Sequence, residues 1–169
     1  MIILNIGSNI DSIFGDRFQT IKKTIDLIKL HEIKIIKVSS FYETPSYPNS
    51  LKPKFINIAL SVEFNKSPKE LLKKIWIVEK KMGRIRHVKN DPRTCDIDII
   101  DFNGLVINES NITLPHPEAH NRSFVMYPLM EIYPQWIHPL INKKIDDIIN
   151  KFDLKTRNEI TKLKESDIF

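Results

Sequence analysis

The stretch FINIALSVEF, residues 55–64, constrains the fold most. It alternates without a break. Phe55, Asn57, Ala59, Ser61 and Glu63 fall on one side, and Ile56, Ile58, Leu60, Val62 and Phe64 on the other. A period of two is that of a β-strand, and five apolar positions in succession on one side must cover a core. IILNIGSN at the start reads as a second strand that breaks at Gly7-Ser8-Asn9. IKIIKVSSFYET reads as a third and TCDIDIIDF as a fourth. Between them the apolar period changes to that of a helix. Phe14, Phe18, Ile21, Ile25 and Ile28 predict a helix over 11–30. In SPKELLKKIWIVEKKMG, Ser67 is the expected N-cap and Pro68 occupies the first helical position. Glu70 closes a capping box and Gly83 ends the helix.

The order is β-α-β-β-α-β, the split arrangement of an α+β ferredoxin-like sandwich with a mainly antiparallel sheet. One face would carry the helices, and part of the other would be free for a site. Asn103-Gly104 signals a hairpin turn with LVIN returning, and short helices are expected near 124–132 and in KKIDDIINKF. One domain is expected over 1–152, with 153–169 as a charged tail that frays.

The fourth strand carries an anomaly. Residues two apart share a face, so Asp96 and Asp98 project side by side, about 6–7 Å apart, while Ile97 and Ile99 point into the core. Neighbouring carboxylates repel unless a cation or a proton separates them, and a hard divalent ion with oxygen ligands is one resolution. Arg84, Arg86 and Arg93 flank the pair, and arginine matches phosphate oxygens with a planar fork of donors. Carboxylates for Mg²⁺ beside arginines for a polyphosphate would suit phosphoryl transfer. The alternatives are a solvated edge-strand pair, or arginines that simply salt-bridge these aspartates and close the surface.

PHPEAHNRSF adds His116 between two prolines, His120 and Arg122. His116 could donate to a phosphate or help move a proton, or it could be a turn histidine bonded to backbone. His31, His87 and His138 read as surface residues. Phe55 and Asn57 share a strand face, and an aromatic with an amide two residues on could stack a flat heterocycle and read its edge. The bland reading is a half-exposed strand face. No G-x-x-x-x-G-K-[ST] occurs, which excludes a P-loop, and with four glycines a phosphate cradle must rely on side chains.

GSN, VSSFYETP, FIN, GRIR, PRTCDIDII and LPHPEAHNRSFVMYPLMEIYP together resemble the 6-hydroxymethyl-7,8-dihydropterin pyrophosphokinases of the folate pathway. The resemblance implies transfer of pyrophosphate from ATP to the pterin hydroxymethyl oxygen, with two Mg²⁺ ions on Asp96 and Asp98. It implies phosphate contacts from Arg84 or Arg86, Arg93 and Arg122. Glu79, Ile99, Thr113 and His116 would border the nucleotide. Thr44, Pro45, Tyr47, Phe55, Asn57, Asp96 and Phe124 would border the pterin. The chain departs from the family at Lys89, Asn90 and Asp91, in what would be a lid, and at Phe55, where tyrosine is common.

Partners outside that pair of substrates are constrained by charge and cysteine. A net charge of +5 fits a lysine-rich surface or a polyanionic ligand. A non-enzymatic RNA-binding module is the rival reading, but its K/R-G-F/Y strand motif is absent and two acids sit on the strand. Another D-x-D nucleotidyl transferase is a third. The lone Cys95 cannot form an internal disulfide, and no long apolar run suggests a membrane span. The expectation is a cytoplasmic monomer that binds neither nucleic acid nor membrane.

Overall fold

The computed structural model describes residues 1–46, 51–84 and 93–164. Tyr47, Arg86, Lys89, Asn90 and Asp91 lie outside the described residues. The elements run β1 (Ile2–Ser8), α1 (Arg17–Leu30), β2 (Lys34–Val38), β3 (Tyr42–Thr44), β4 (Phe55–Glu63), α2 (Pro68–Lys81) and β5 (Asp96–Phe102). They continue with β6 (Ile107–Glu109), β7 (Ile112–Leu114), a 3₁₀ turn (Ala119–Asn121), α3 (Ser123–Ile132), α4 (Ile145–Ile149), α5 (Leu154–Glu159) and β8 (Thr161–Lys162). The main sheet runs β5-β1-β4-β3-β8, with β2 also on β4, and every pairing is antiparallel. This is the ferredoxin-like α+β fold.

Strand β4 is central, and its alternation is realised. Ile56, Ile58, Leu60, Val62 and Phe64 join Ile2, Leu4 and Ile6 of β1 in a core sealed by α1 and α2. Helix α2 has the expected punctuation: Glu70 N–H donates to Ser67 Oγ at 3.3 Å, and Ser67 N–H donates to Glu70 Oε2 at 3.1 Å. Gly83 follows with φ +79°, a left-handed position that suits glycine.

Five expectations need correction. Helix α1 begins at Arg17 rather than near 11, because Asp16 and Gln19 form a capping box there. The third strand is two pieces, β2 and β3: Ser39 N–H still donates to Ala59 O at 3.0 Å, but Ala59 N–H turns to the Ser39 hydroxyl at 2.9 Å and residues 39–41 are not strand. The turn at Asn103-Gly104 forms, with φ of 54° and 72°, but LVIN does not return along β5. Strand β6 pairs with β7 instead. Residues 154–162 are not a fray: Asp153 caps α5, and β8 pairs with the edge of β3. The last correction concerns the face opposite α1 and α2. Helices α3 and α4 cover one end of it, packing Val125, Met126, Leu129 and Ile145 on Ile3, Ala59 and Ile100.

Candidate active site

The uncovered end of that face holds the two predicted carboxylates and Asn57. Registers place Asn57, Gly7 and Asp96 in one row across β4, β1 and β5, and Tyr42 of β3 extends it. The next row is Ala59, Asn5 and Asp98. Gly7 is the floor between the amide and the carboxylate. A Cβ there would stand 2.8 Å from Asn57 Oδ1 and 3.6 Å from a Phe55 ring carbon, so only glycine leaves this floor clear.

Asp96 is gripped by Arg84 Nη1 at 2.5 Å and Arg93 Nη1 at 2.6 Å. Arg84 is shared with Glu79, a buried carboxylate on α2 that also accepts from Ile97 N–H at 2.9 Å. The alternative of arginines bridging the aspartates therefore describes Asp96. Asp98 differs. Among the described residues its nearest cation stands farther off, Arg122 Nη1 at 3.6 Å, with the His116 ring Nε2 at 3.9 Å. Burial and the neighbouring Asp96 charge push the Asp98 carboxyl up to about 6. A half-buried carboxylate short of close cations, next to a second carboxylate, is an oxygen donor set that fits a hard divalent ion. Asp96 and Asp98 are the residues that could hold one.

His116 N–H donates to Ile100 O at 3.0 Å, tying the loop to β5. Its Nδ1 accepts from Glu118 N–H at 3.1 Å, so the ring proton sits on Nε2, facing Asp98. Burial and Arg122 lower its pKa to about 4, which keeps it a neutral donor at pH 7. Phe124 lies in the first turn of α3, with the Arg122 guanidinium 5.7 Å from its ring centroid. Thr44, buried at the end of β3, accepts from Asn57 Nδ2 at 3.4 Å, and Pro45 follows half-buried.

Residues 3–134 match a family model described as 7,8-dihydro-6-hydroxymethylpterin-pyrophosphokinase. The chain belongs to this pyrophosphokinase family. A 2-amino-4-hydroxy-6-hydroxymethyldihydropteridine pyrophosphokinase of Aquifex aeolicus is 37% identical over 155 residues, 91% of this chain and 93% of the relative. One of the same name from Bacillus subtilis is 37% identical over 131 residues, 77% of this chain and 76% of the relative. Among solved structures, a Plasmodium falciparum HPPK-DHPS triple mutant superposes with TM-score 0.72 at 15% identity. That likeness covers 95% of this chain and 46% of the other, and it shows the fold alone.

Two residues expected on the nucleotide side, Ile99 and Thr113, lie on β5 and β7. The Ile99 side chain lies in the α1–α2 core, so any contact it makes must come from backbone. Thr113 is exposed on β7 opposite Asn108. Sequence reading missed three others. Asn5 is buried between the carboxylate pair and α3; with its amide oriented by its neighbours, Nδ2 donates to Ile58 O at 3.1 Å and Phe124 O at 3.2 Å. Tyr42 donates to Glu131 Oε2 at 2.7 Å, and Glu131 Oε1 accepts from Ser40 N–H and Oγ at 3.1 and 2.8 Å. The available signal was a polar residue inside an otherwise apolar strand, Asn5 in IILNI. Nothing local marked Tyr42 or Glu131.

Proposed function

We propose that this pyrophosphokinase transfers the terminal pyrophosphoryl group of ATP to 6-hydroxymethyl-7,8-dihydropterin in folate biosynthesis. The hydroxymethyl oxygen attacks the β-phosphorus, the bond from that phosphorus to the α–β bridging oxygen breaks, and AMP leaves with that oxygen. The hydroxyl proton passes to solvent, and no side chain is assigned as a strong general base. The observation that carries the reading is the row Asn57–Gly7–Asp96, which sets a heterocycle-reading amide beside the carboxylate pair.

Asp96 and Asp98 would hold two Mg²⁺ ions. When bound, the ions supply positive charge to the phosphates and lower the pKa of the attacking hydroxyl. Arg84 and Arg93 then exchange Asp96 for phosphate oxygens, and Arg122 lies on the Asp98 side for the same use. Neutral His116 donates its Nε2 proton to the nucleotide. Glu79 holds Arg84 and the Ile97 backbone in place. Phe55 and Phe124 both border the Asn5–Gly7 face of β1 and would sandwich the pterin ring. Asn57 and Thr44 read its edge. Such positioning and charge stabilisation account for most of catalysis in phosphoryl transfer.

The RNA-binding alternative loses its platform, because α3 and α4 cover the end of the sheet that such a module would expose. No helix among the described residues is long and apolar enough to cross a membrane. Incubation with ATP, Mg²⁺ and the hydroxymethyl dihydropterin tests the reading. AMP and a pterin diphosphate are expected in equal amounts; ADP, or pyrophosphate set free, would refute it.

A further inference from the structure

The family match ends at residue 134, yet the chain just beyond it packs back on the site loop. Trp136 is buried, and its Nε1 donates to Asp101 Oδ2 at 2.8 Å, on the same strand as Asp98. Asp101 Oδ1 also accepts from Gly104 N–H at 2.8 Å. The Trp136 ring lies 5.3 Å from that of His138. Contrary to its expected surface position, His138 is only 1% exposed. It meets His120 edge to face, with ring centroids 5.1 Å apart. His120 sits in the 3₁₀ turn between His116 and Arg122, so a circuit leaves β5 at Asp101 and returns to it at Asp98.

Two polar atoms in this circuit are buried without a partner: His138 Nε2 and His120 Nδ1. Their chemistry is complementary. His138 Nδ1 accepts from Leu140 N–H at 3.2 Å and, more distantly, from Ile141 N–H at 3.5 Å. A neutral imidazole with Nδ1 accepting carries its proton on Nε2, which makes that atom a donor. Burial, with His120 alongside, lowers the His138 pKa against the opposing pull of Asp101 and so favours the neutral ring. His120 Nδ1 is available as an acceptor when the His120 proton sits on Nε2. One bond between them, reached by a small ring rotation, satisfies both orphans, and leaving both unmade is costly in a buried place.

We propose that His138 Nε2–H donates to His120 Nδ1, and that this link positions the loop carrying His116 and Arg122 toward Asp98. His120 and His138 are then positioning residues for the nucleotide end of the site, joining a segment beyond the family match to the chemistry. The kinetic part of the proposal rests on the function proposed above, whereas the bond itself does not.

Two measurements test it on the full chain. With ¹⁵N-histidine label at pH 7, long-range proton–nitrogen correlation should show His138 protonated at Nε2 and His120 bare at Nδ1. A coupling across the hydrogen bond should join these two nitrogens. A His120 protonated at Nδ1, or no such coupling, overturns the bond, whether or not the chain turns over ATP. Kinetically, His138→Asn keeps an acceptor for Leu140 N–H at the δ position but has no donor reaching as far as Nε2. It should raise the KM for ATP about tenfold and leave the pterin KM within about twofold. His120→Phe should do the same, and the double variant should be no worse than either alone. Additive losses, or both KM values rising together, would reduce the pair to ordinary packing and overturn the positioning role.

Discussion

At the scale of single residues, the site depends on what Gly7 lacks and on what Asp98 is denied. Gly7→Ala places a Cβ 2.8 Å from Asn57 Oδ1, so the amide must swing from its place beside Thr44. The pterin KM should rise about tenfold or more while the ATP KM hardly moves; steady-state kinetics with each substrate varied in turn would check this. Asp98 makes a pH-dependent prediction. Its carboxyl is raised from 3.8 to about 6, so the folded chain takes up a proton over that window. Stability should therefore fall as pH rises from about 4 to 6. In metal-free buffer at pH 7, Asp98→Asn should be more stable than the parent by about 1–2 kcal/mol, allowing for partial exposure. At pH 4 the gain should vanish, and urea melts at both values would show it. Added Mg²⁺ should stabilise the parent and not the variant.

At the scale of elements, legibility followed the range of the signal. The α2 capping box lies within four residues, and the alternation of β4 is carried by one uninterrupted segment, so both could be read from the chain. Ser67→Ala should cost about 1 kcal/mol in a denaturant melt, since it removes the hydroxyl that accepts from Glu70 N–H and donates to Glu70 Oε2, while the Ser67 backbone N–H keeps its bond. What could not be read was which edge a segment joins. LVIN follows a turn that forms, yet its strand pairs with β7, because the second-sheet partner lies only a few residues ahead. The break between β2 and β3 is fixed by Glu131 from α3, 91 residues from Ser40, a contact invisible to any local pattern. Strand β8 was hidden for the same reason: two exposed residues among charges carry no alternation to count. It nevertheless covers the edge of β3, and Leu163 N–H donates to Phe41 O at 2.9 Å. Deleting 160–169 should lower stability by about 1–2 kcal/mol and raise the pterin KM more than the ATP KM, because Thr44 lies on that strand. Thermal melts and kinetics of the truncated chain would check both effects.

At the scale of the molecule, one sheet serves two cores and keeps one corner of a face for chemistry. Its first face is sealed by α1 and α2, and its second is sealed by α3 and α4 only as far as Ala59 and Ile100. The candidate site begins in the Ala59 row itself, at Asn5 and Asp98, where an alternating strand can set carboxylates on one side while Ile97 and Ile99 anchor the other. The pair Asp96–Asp98 was legible from period and neighbours, but its asymmetry was not. Two arginines satisfy Asp96, whereas Asp98 is half-buried without a close cation among the described residues. That asymmetry makes a cation at this corner the central claim. The most direct test is AMP formation from ATP and the hydroxymethyl dihydropterin by Asp96→Ala, Asp98→Ala and the double variant, each shown to melt as a folded chain. The account predicts a loss of about a thousandfold or more in kcat for each, with no further loss when the two are combined. A double variant that keeps near-parental turnover would contradict it.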